Sequence, residues 1–521
     1  MSNASAESLG PASRGICGAA APPDADDGQH AACRRLGWAW VQPGLLFCLL
    51  LALAVRLPGI ARPLVGNFAT KNVVYAMIAR NWAEGRADLR YPTLDRLAAG
   101  QRSLHMLEFP CSAYLTGWLW KCCGGSLDVW GRATAIGFSL ASVSMLYYLV
   151  RRRHGPVAAV GAAMALAISP VSIIYGQSFM LESSLVFFTV GTVWCLDHWL
   201  AGARWAWLAA GALCLALLLL TKIYMLVMLL PLAAMIVVAR QKTGPGVARR
   251  PLLTAAALAL ALIPAAAWYA HAIATARDST LAPRVFYSVL DSVEVHRPPH
   301  RLLRSPDFYR QILDDLAGVV LTPLGLSLAI AGLLHPAWRR YVPWLVAMTL
   351  LVAVLPLKFH QMNYYWMAVL PPLAILIGLG WQQLHDRLAL RPAATAILLA
   401  AVLLFALRYA LRPALVTPQA DRAVVPAGQA IQKLTSAEEP VATMHGTGID
   451  LLYYCRRPGW AVAPDAPQLD QALHNCRLEG ARYLVVVEDA EVMKRIGHCP
   501  AIDRLVASDR GYTVYRLTSP R

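Results

Sequence analysis

Of the 521 residues, 57% are hydrophobic and 15% are charged, against roughly a quarter charged in soluble globular domains; this excludes an ordinary soluble protein and points to a polytopic membrane protein. The formal net charge of +17 does not mark a nucleic-acid binder, because the Lys and Arg residues fall in short loops between apolar runs instead of gathering on one face or tail. That charge reads as topology signal and as attraction to anionic lipid or phosphate groups.

Residues 1 to about 38 are rich in Ala, Gly, Ser, Asp and Pro and end in Arg34-Arg35, the composition of a disordered cytoplasmic tail. The apolar run from about Trp38 to Ile60 follows a basic flank, with no small-residue cleavage site before the next polar segment, and reads as a retained anchor. The mixed segment from Arg62 to about Val129 contains Tyr75-Ala76-Met77-Ile78-Ala79-Arg80-Asn81-Trp82, readable as an amphipathic helix. It is expected to form a pair of helices along the membrane surface. The next span, about Trp130 to Val150, ends in Arg151-Arg152-Arg153, which sets that end in the cytoplasm and the preceding segment outside.

Further spans are expected near 157–174, 185–200, 205–220, 223–239, 252–270, 316–334, 342–357, 364–381 and 392–411. The loops assigned inside hold Arg204, then Arg240, Lys242, Arg249 and Arg250, then Arg339 and Arg340, then Arg387 and Arg391; the short outer loops hold Lys222 and Lys358. This asymmetry supports about eleven spans, with the N-terminus inside and the C-terminus outside. A second outer segment, about 271–315, carries Tyr287, His296, His300, Arg301, Arg304 and Asp314-Asp315.

After about Pro413 the chain turns polar, with short apolar runs at Pro440 to Thr443, Tyr483 to Val487 and Tyr512 to Tyr515 and a helix-like stretch from Leu469 to Glu479. Residues 413–521 therefore read as a small soluble α/β domain outside the membrane, following a transmembrane region over 39–412. The eleven cysteines show no CxxC pair and no zinc-site spacing. In an oxidising compartment two of Cys455, Cys476 and Cys499 could pair, and the sequence does not choose which.

The polar clusters that topology leaves unexplained all fall on the outer side. Glu182 stands at the seam of two apolar runs, where an ionisable side chain is costly unless a partner or polar cavity receives it. Its plainer role is to open a helix with its charge at the positive end of the dipole. Lys222 suits either snorkelling to the interface or a phosphate held there, and Lys358 with His360 repeats the arrangement. Tyr364 and Tyr365, with Trp366, have an ordinary reading as interfacial aromatics.

Several elements in order carry a resemblance to a known family: Tyr75-Ala76-Met77-Ile78-Ala79-Arg80-Asn81, Glu108-Phe109-Pro110, Gly131-Arg132, Pro170 followed by Tyr175-Gly176-Gln177 and Leu181-Glu182, Thr221-Lys222, and Lys358-Phe359-His360 through Tyr364-Tyr365 to Pro371-Pro372. Over about residues 40 to 380 the chain resembles the membrane-embedded type C glycosyltransferases, in the branch of the protein O-mannosyltransferases and the lipid A aminoarabinose transferase. The resemblance implies a sugar carried on a polyprenyl phosphate and transferred with inversion at the outer face of the cytoplasmic membrane to a lipid, glycan or protein acceptor. No cofactor is required on this reading, no metal ligands are assigned, and a divalent metal is left open.

One departure stands out. Where the family usually has an acidic pair before the Tyr-Ala-x-Ile-x-Arg helix, this chain reads Thr70-Lys71-Asn72-Val73. The acid or base role then falls to Glu182 and Glu108, with Asp88 and Asp95 behind them, unless the acceptor is already ionised or transfer has been lost. Lys222, Lys358 and His360 are assigned to the donor phosphate, and Lys71, Gln177, Tyr364 and Tyr365 to substrate binding. Membrane lipids are expected partners and nucleic acid is not. The competing classes are a lipid or glycan transporter or flippase, which usually shows internal repeats and mid-membrane charges, and a non-catalytic membrane scaffold.

Overall fold

The computed structural model describes residues 42–66, 68–202, 204–242, 249–294, 299–388, 392–446, 448–466, 468–488 and 490–518. The tail assigned to 1–38 and His296 lie outside the described residues. The chain opens with helix α1 (Pro43–Ala54), then α2 (Ala69–Ala83), strands β1 (Thr93–Ala98) and β2 (Gln101–Met106), α3 (Cys111–Cys123) and α4 (Leu127–His154). Gly155, at φ 88°, closes α4 by donating to the Arg151 carbonyl at 3.0 Å. A left-handed closing residue favours glycine, and Pro156 then opens α5 (Pro156–Ile168) at the one helical position where a missing N–H costs nothing.

The run expected to span 157–174 is broken. Pro170 drives Ser169 out of the helical region, to φ −51° and ψ 133°, so α5 gives way to the short α6 (Pro170–Tyr175). Carbonyls freed by such a break need donors. Arg56, with 0% of its surface exposed, donates across the break to the Ala167 carbonyl (2.9 Å), the Ser172 carbonyl (3.0 Å) and Ser172 Oγ (2.9 Å), and ties it to α1 through the Ala52 carbonyl (2.9 Å).

Helices α7 (Glu182–Gly202), α8 (Trp205–Thr221), α9 (Leu229–Lys242) and α10 (Arg249–Arg277) follow, then β3 (Val285–Ser288), α11 (Val289–Glu294), α12 (Pro299–Leu303) and α13 (Pro306–Asp315). A π turn at Leu316–Val320 leads into α14 (Thr322–Leu333), and the pair is bent by 105°. The span expected over 316–334 is thus bent rather than straight, because Thr322, at φ 66°, precedes Pro323. Helices α15 (Val342–Val354), α16 (Pro356–Gln361), α17 (Trp366–Leu388) and α18 (Pro392–Leu415) complete the apolar region. Small residues let these helices cross closely: a Cβ on Gly380 would come within 1.9 Å of the Leu328 carbonyl, and one on Gly378 within 2.4 Å of the Ala158 carbonyl.

Among the described residues, five helices are long and apolar enough to cross a membrane, or six if the bent pair is one span. Shorter apolar helices stand at Pro43–Gly59, Pro156–Ile168, Trp205–Thr221 and Ala400–Ala410. The chain is therefore a polytopic helical membrane protein, and a count of eleven spans is not reached by length and composition.

The segment expected to form the first outer loop differs most from expectation. Helix α2 is not laid along a surface; Asn72 through Asn81 are buried. Its expected companion helix is a β-hairpin, turned by Ala99 and Gly100 at φ 49° and 70°, the paired left-handed residues of a two-residue hairpin loop. The C-terminal part contributes α19 (Val424–Leu434), β4 (Val441–Met444), α20 (Asp450–Cys455), β5 (Gly459–Ala461), α21 (Leu469–Leu478), β6 (Tyr483–Val486), α22 (Ala490–Gly497), β7 (Ile502–Asp509) and β8 (Tyr512–Leu517). All described strands join one sheet in the order β3-β2-β1-β5-β4-β6-β8-β7. Strands β4, β5 and β6 run parallel, β8 is antiparallel to β6, and β1 meets β5 at Arg96 and Gly459. The C-terminal α/β segment and the β1–β2 hairpin therefore share one sheet.

Beneath it, Val73, Tyr75, Ile78, Val424, Leu452 and Val485 form an apolar core that also takes Phe179 and Leu181 from the loop before α7. Cys455 belongs to this core, and Cys476 and Cys499 to a smaller one. All three are free, so the disulfide that the sequence allowed is not formed; Cys499 Sγ instead donates to Asp470 at 2.8 Å.

Candidate active site

The segment after β2 is pinned by its backbone. Phe109 N–H donates to the Leu220 carbonyl at the end of α8 (3.0 Å), and Trp268 Nε1 of α10 donates to the Leu107 carbonyl (3.1 Å). Between them Glu108, 2% exposed, is held beside the helix ends. Its Oε1 accepts from the Tyr75 hydroxyl of α2 and from Lys222 Nζ at 2.9 Å. Its Oε2 has no hydrogen-bond partner and lies 3.8 Å from His105 Nε2. Burial alone would raise the Glu108 carboxyl, but Lys222, Lys71, His105 and the Tyr75 hydrogen bond outweigh it and hold the group well below the usual carboxylate range. Burial brings His105 down to about 4, with Glu108 opposing in part, so this imidazole is neutral at pH 7.

Lys222 follows the last residue of α8 in extended conformation (φ −153°, ψ 108°) before a 3₁₀ turn, Ile223–Met228. At 7% exposure it does not snorkel; its ammonium points into the pair with Glu108. Lys71, in the first turn of α2, is half-buried with Nζ 5.0 Å from the centre of the Tyr287 ring on β3. Burial pulls its ammonium below the ordinary value, and Glu108 and Glu182 pull the other way. Lys358, half-buried on α16, feels both Lys222 and Glu108.

Glu182 is the first residue of α7 and is 3% exposed. It therefore has the dipole-favoured position of its plainer reading. Its Oε2 is nevertheless buried without a partner, attracted by Lys222 and Lys71 and repelled by Glu108. The loop that leads to it is fixed at two points. Gly131 makes room for Phe179, whose ring would lie 2.1 Å from a Cβ there. Arg132 bridges the carbonyls of Arg62 (3.1 Å), Pro63 (3.1 Å) and Gln177 (3.2 Å). Gln177 is buried, with Nε2 donating to the Ile173 carbonyl (3.0 Å) and Oε1 unpartnered.

Tyr364 and Tyr365 are buried and stacked at 4.9 Å between ring centres. Phe68 packs on Tyr364 at 5.2 Å, Tyr224 on Tyr365 at 5.4 Å, and the Tyr175 hydroxyl donates to Asn363 Oδ1. They line the buried interior rather than a water interface. His360 turns elsewhere: its carbonyl accepts from Gln311 Nε2 (2.7 Å) and its ring lies 6.4 Å from Phe308. The reserve acids are also elsewhere. Asp95 is paired with Arg80 and with Arg102 (2.9 Å), and exposed Asp88 caps the N–H groups of Arg90 (2.7 Å) and Tyr91 (2.9 Å).

The structure thus gathers Glu108, Glu182, Lys71 and Lys222, with Lys358 and the tyrosines nearby, into one closed cluster of opposed charges. Such a cluster can hold a phosphate on its ammonium groups and accept a proton on a carboxylate. Among the described residues no group of three or more His, Cys, Asp or Glu side chains could hold a metal ion. His105 was not anticipated; its spacing in His105-Met106-Leu107-Glu108 was the available signal.

Residues 110–269 match the family described as dolichyl-phosphate-mannose-protein mannosyltransferase. Among solved structures, ArnT from Cupriavidus metallidurans bound to undecaprenyl phosphate matches with a TM-score of 0.61 at 16% identity, covering 92% of this chain and 98% of that one. The same protein in the apo state matches with a TM-score of 0.58 at 16% identity, over 90% and 97%. These likenesses show the fold, and the resemblance drawn from the sequence is borne out. No curated protein matches the chain in sequence.

Proposed function

We propose that the chain is an integral-membrane glycosyltransferase that moves a sugar from a polyprenyl-phosphate donor to a lipid, glycan or protein acceptor, with inversion. The observation that carries this reading is the Lys222–Glu108 pair together with Glu182, whose buried Oε2 has no partner. Undecaprenyl phosphate on the ArnT of like fold supports the donor class.

The donor phosphate sits against Lys222, with Lys358 adding charge. It then shares the Lys222 ammonium with Glu108, which loosens the pair. The acceptor oxygen attacks the anomeric carbon from the face opposite the phosphate, the carbon–oxygen bond to the phosphate breaks, and polyprenyl phosphate leaves with the bonding electrons. Lys222 neutralises the charge that develops on it in a desolvated site. The acceptor proton passes to Glu182, or to Glu108 once freed from Lys222. Lys71 takes the place of the family's usual acid and offers a cation to donor or acceptor. On this proposal about eleven spans cross the cytoplasmic membrane, the N-terminal tail and the arginine-bearing ends lie inside, and the 413–521 segment lies outside.

The test is release of free polyprenyl phosphate by the purified, reconstituted protein offered a panel of polyprenyl-phosphate sugars and acceptors. Release dependent on acceptor supports transfer. Movement of intact donor between leaflets without cleavage would instead identify a flippase, and no change in the donor a scaffold.

A further inference from the structure

A cavity of about 490 Å³ lies away from the Glu108 cluster, among α4, α7, α9 and the start of α15. Its volume falls within the roughly 300–1,000 Å³ of small-ligand sites. Its lining combines two chemistries. Val193, Leu200, Met235, Val238 and Trp344 supply an apolar wall, and Arg153, Arg339 and Arg340 supply guanidinium groups. Asp197, the one carboxylate in the lining, is already engaged: Arg153 pairs with it, and Arg152 reaches its other oxygen at 3.5 Å. Arg339 and Arg340 are exposed and, among the described residues, donate to no acceptor. The lining therefore has an excess of guanidinium charge and the wall has no use for water.

We infer that this cavity binds one membrane glycerophospholipid with an anionic headgroup, its phosphodiester on Arg339 and Arg340 and an acyl chain along the α7–α9 wall. Three features favour a lipid. The cavity lies at the ends of α4 and α7, its lining offers an amphiphile both apolar side chains and guanidinium charge, and basic pockets between helices on the positive side of a membrane suit acidic headgroups. The site is separate from the Glu108 cluster: Asp197 and Glu182 lie on one helix fifteen residues apart, about 22 Å at 1.5 Å per residue. Bound there, the lipid ties the ends of α4, α7 and α9 to the 3₁₀ turn Pro336–Tyr341.

The experiment measures binding and melting temperature of the full-length protein in detergent with phosphatidylglycerol and with phosphatidylcholine of the same acyl chains. Phosphatidylglycerol raises the melting temperature and phosphatidylcholine does not. The double variant Arg339→Gln/Arg340→Gln, altering exposed side chains, weakens phosphatidylglycerol about thirtyfold, at about fivefold per arginine. Ala234→Phe, which fills the cavity with a bulky side chain and leaves every arginine in place, also abolishes the shift. Equal stabilisation by phosphatidylcholine, unchanged affinity in either variant, or equal protection by sn-glycerol 3-phosphate, which has the phosphate and no chain, would overturn the assignment. Displacement of phosphatidylglycerol by undecaprenyl phosphate at equal concentration would overturn it as well, by giving the cavity to the donor.

Discussion

Removing the Lys222 ammonium separates a structural ion pair from a donor-binding one. In Lys222→Met the Glu108 carboxylate stays 2% exposed and loses its 2.9 Å partner. Breaking a buried pair from one side costs about 3–5 kcal/mol. The Tyr75 hydroxyl still donates to Glu108, and Lys71 still attracts it, so the lower end is expected. Replacing both partners with uncharged side chains of similar size is often nearly neutral, and Lys222→Met/Glu108→Gln should recover most of the lost stability. Donor affinity behaves differently. A charged hydrogen bond to phosphate contributes about 1.5–3 kcal/mol, so both variants should bind a polyprenyl-phosphate sugar about ten- to hundredfold more weakly. Lys222→Arg should lose less, since it keeps the charge in another geometry. The assay pairs thermal unfolding with equilibrium donor binding, which does not depend on turnover. If the double variant regains both stability and donor affinity, Lys222 serves only to neutralise Glu108 and the phosphate assignment is refuted.

Glu182→Gln should lower turnover about a hundredfold or more if this carboxylate takes the proton, with a stability change of about 1 kcal/mol or less; near-parental turnover in this variant and in Glu108→Gln would mean the acceptor arrives ionised. Arg56→Met strips three hydrogen bonds from the break between α5 and α6 and a fourth from the end of α1 and should cost more than about 3 kcal/mol, seen as a lower melting temperature with donor affinity intact in whatever remains folded. His445 is subject to burial, which would lower its pKa, but Asp450 at 3.1 Å and Asp421 at 3.2 Å outweigh it and hold the imidazolium above the usual histidine value. A folded pKa raised above about 6.5 gives stability that is fully present below that pH and lost as pH rises through the folded value. The melting temperature should therefore fall from pH 6 to pH 9, and His445→Gln should flatten that slope; an unchanged slope would remove the His445 cluster as its cause.

The helices were legible wherever an apolar run was long, as in α4, α7 and α17, because burial and lipid exposure both select the same residues. Glu108, Glu182 and Lys222 could be picked out singly, since each charge interrupts an apolar context, but no local pattern says that the first meets the third. That meeting depends on Phe109 docking on Leu220, more than a hundred positions along the chain. The β1–β2 hairpin was hidden because Ala99-Gly100 lacks the Asn-Gly or Asp-Gly turn signal. The three-residue β5 gives too short an alternation to read, and its pairing with β1 joins Arg96 to Gly459. Pro170 was visible as part of a motif, yet the break it makes at Ser169 is bridged by Arg56, whose side chain reaches it from the turn after the first helix.

The measurement that bears most directly on the central claim is the anomeric configuration of the sugar after transfer. Purified protein is supplied with a polyprenyl-phosphate sugar of known anomer and a competent acceptor, and the product is read by NMR. Attack from the face opposite a phosphate held on Lys222, in a single displacement, gives the inverted anomer, and Lys222→Met slows its formation. A retained anomer would require a covalent sugar intermediate or attack from the phosphate side, and would contradict the arrangement of Lys222, Glu108 and Glu182 proposed for this site.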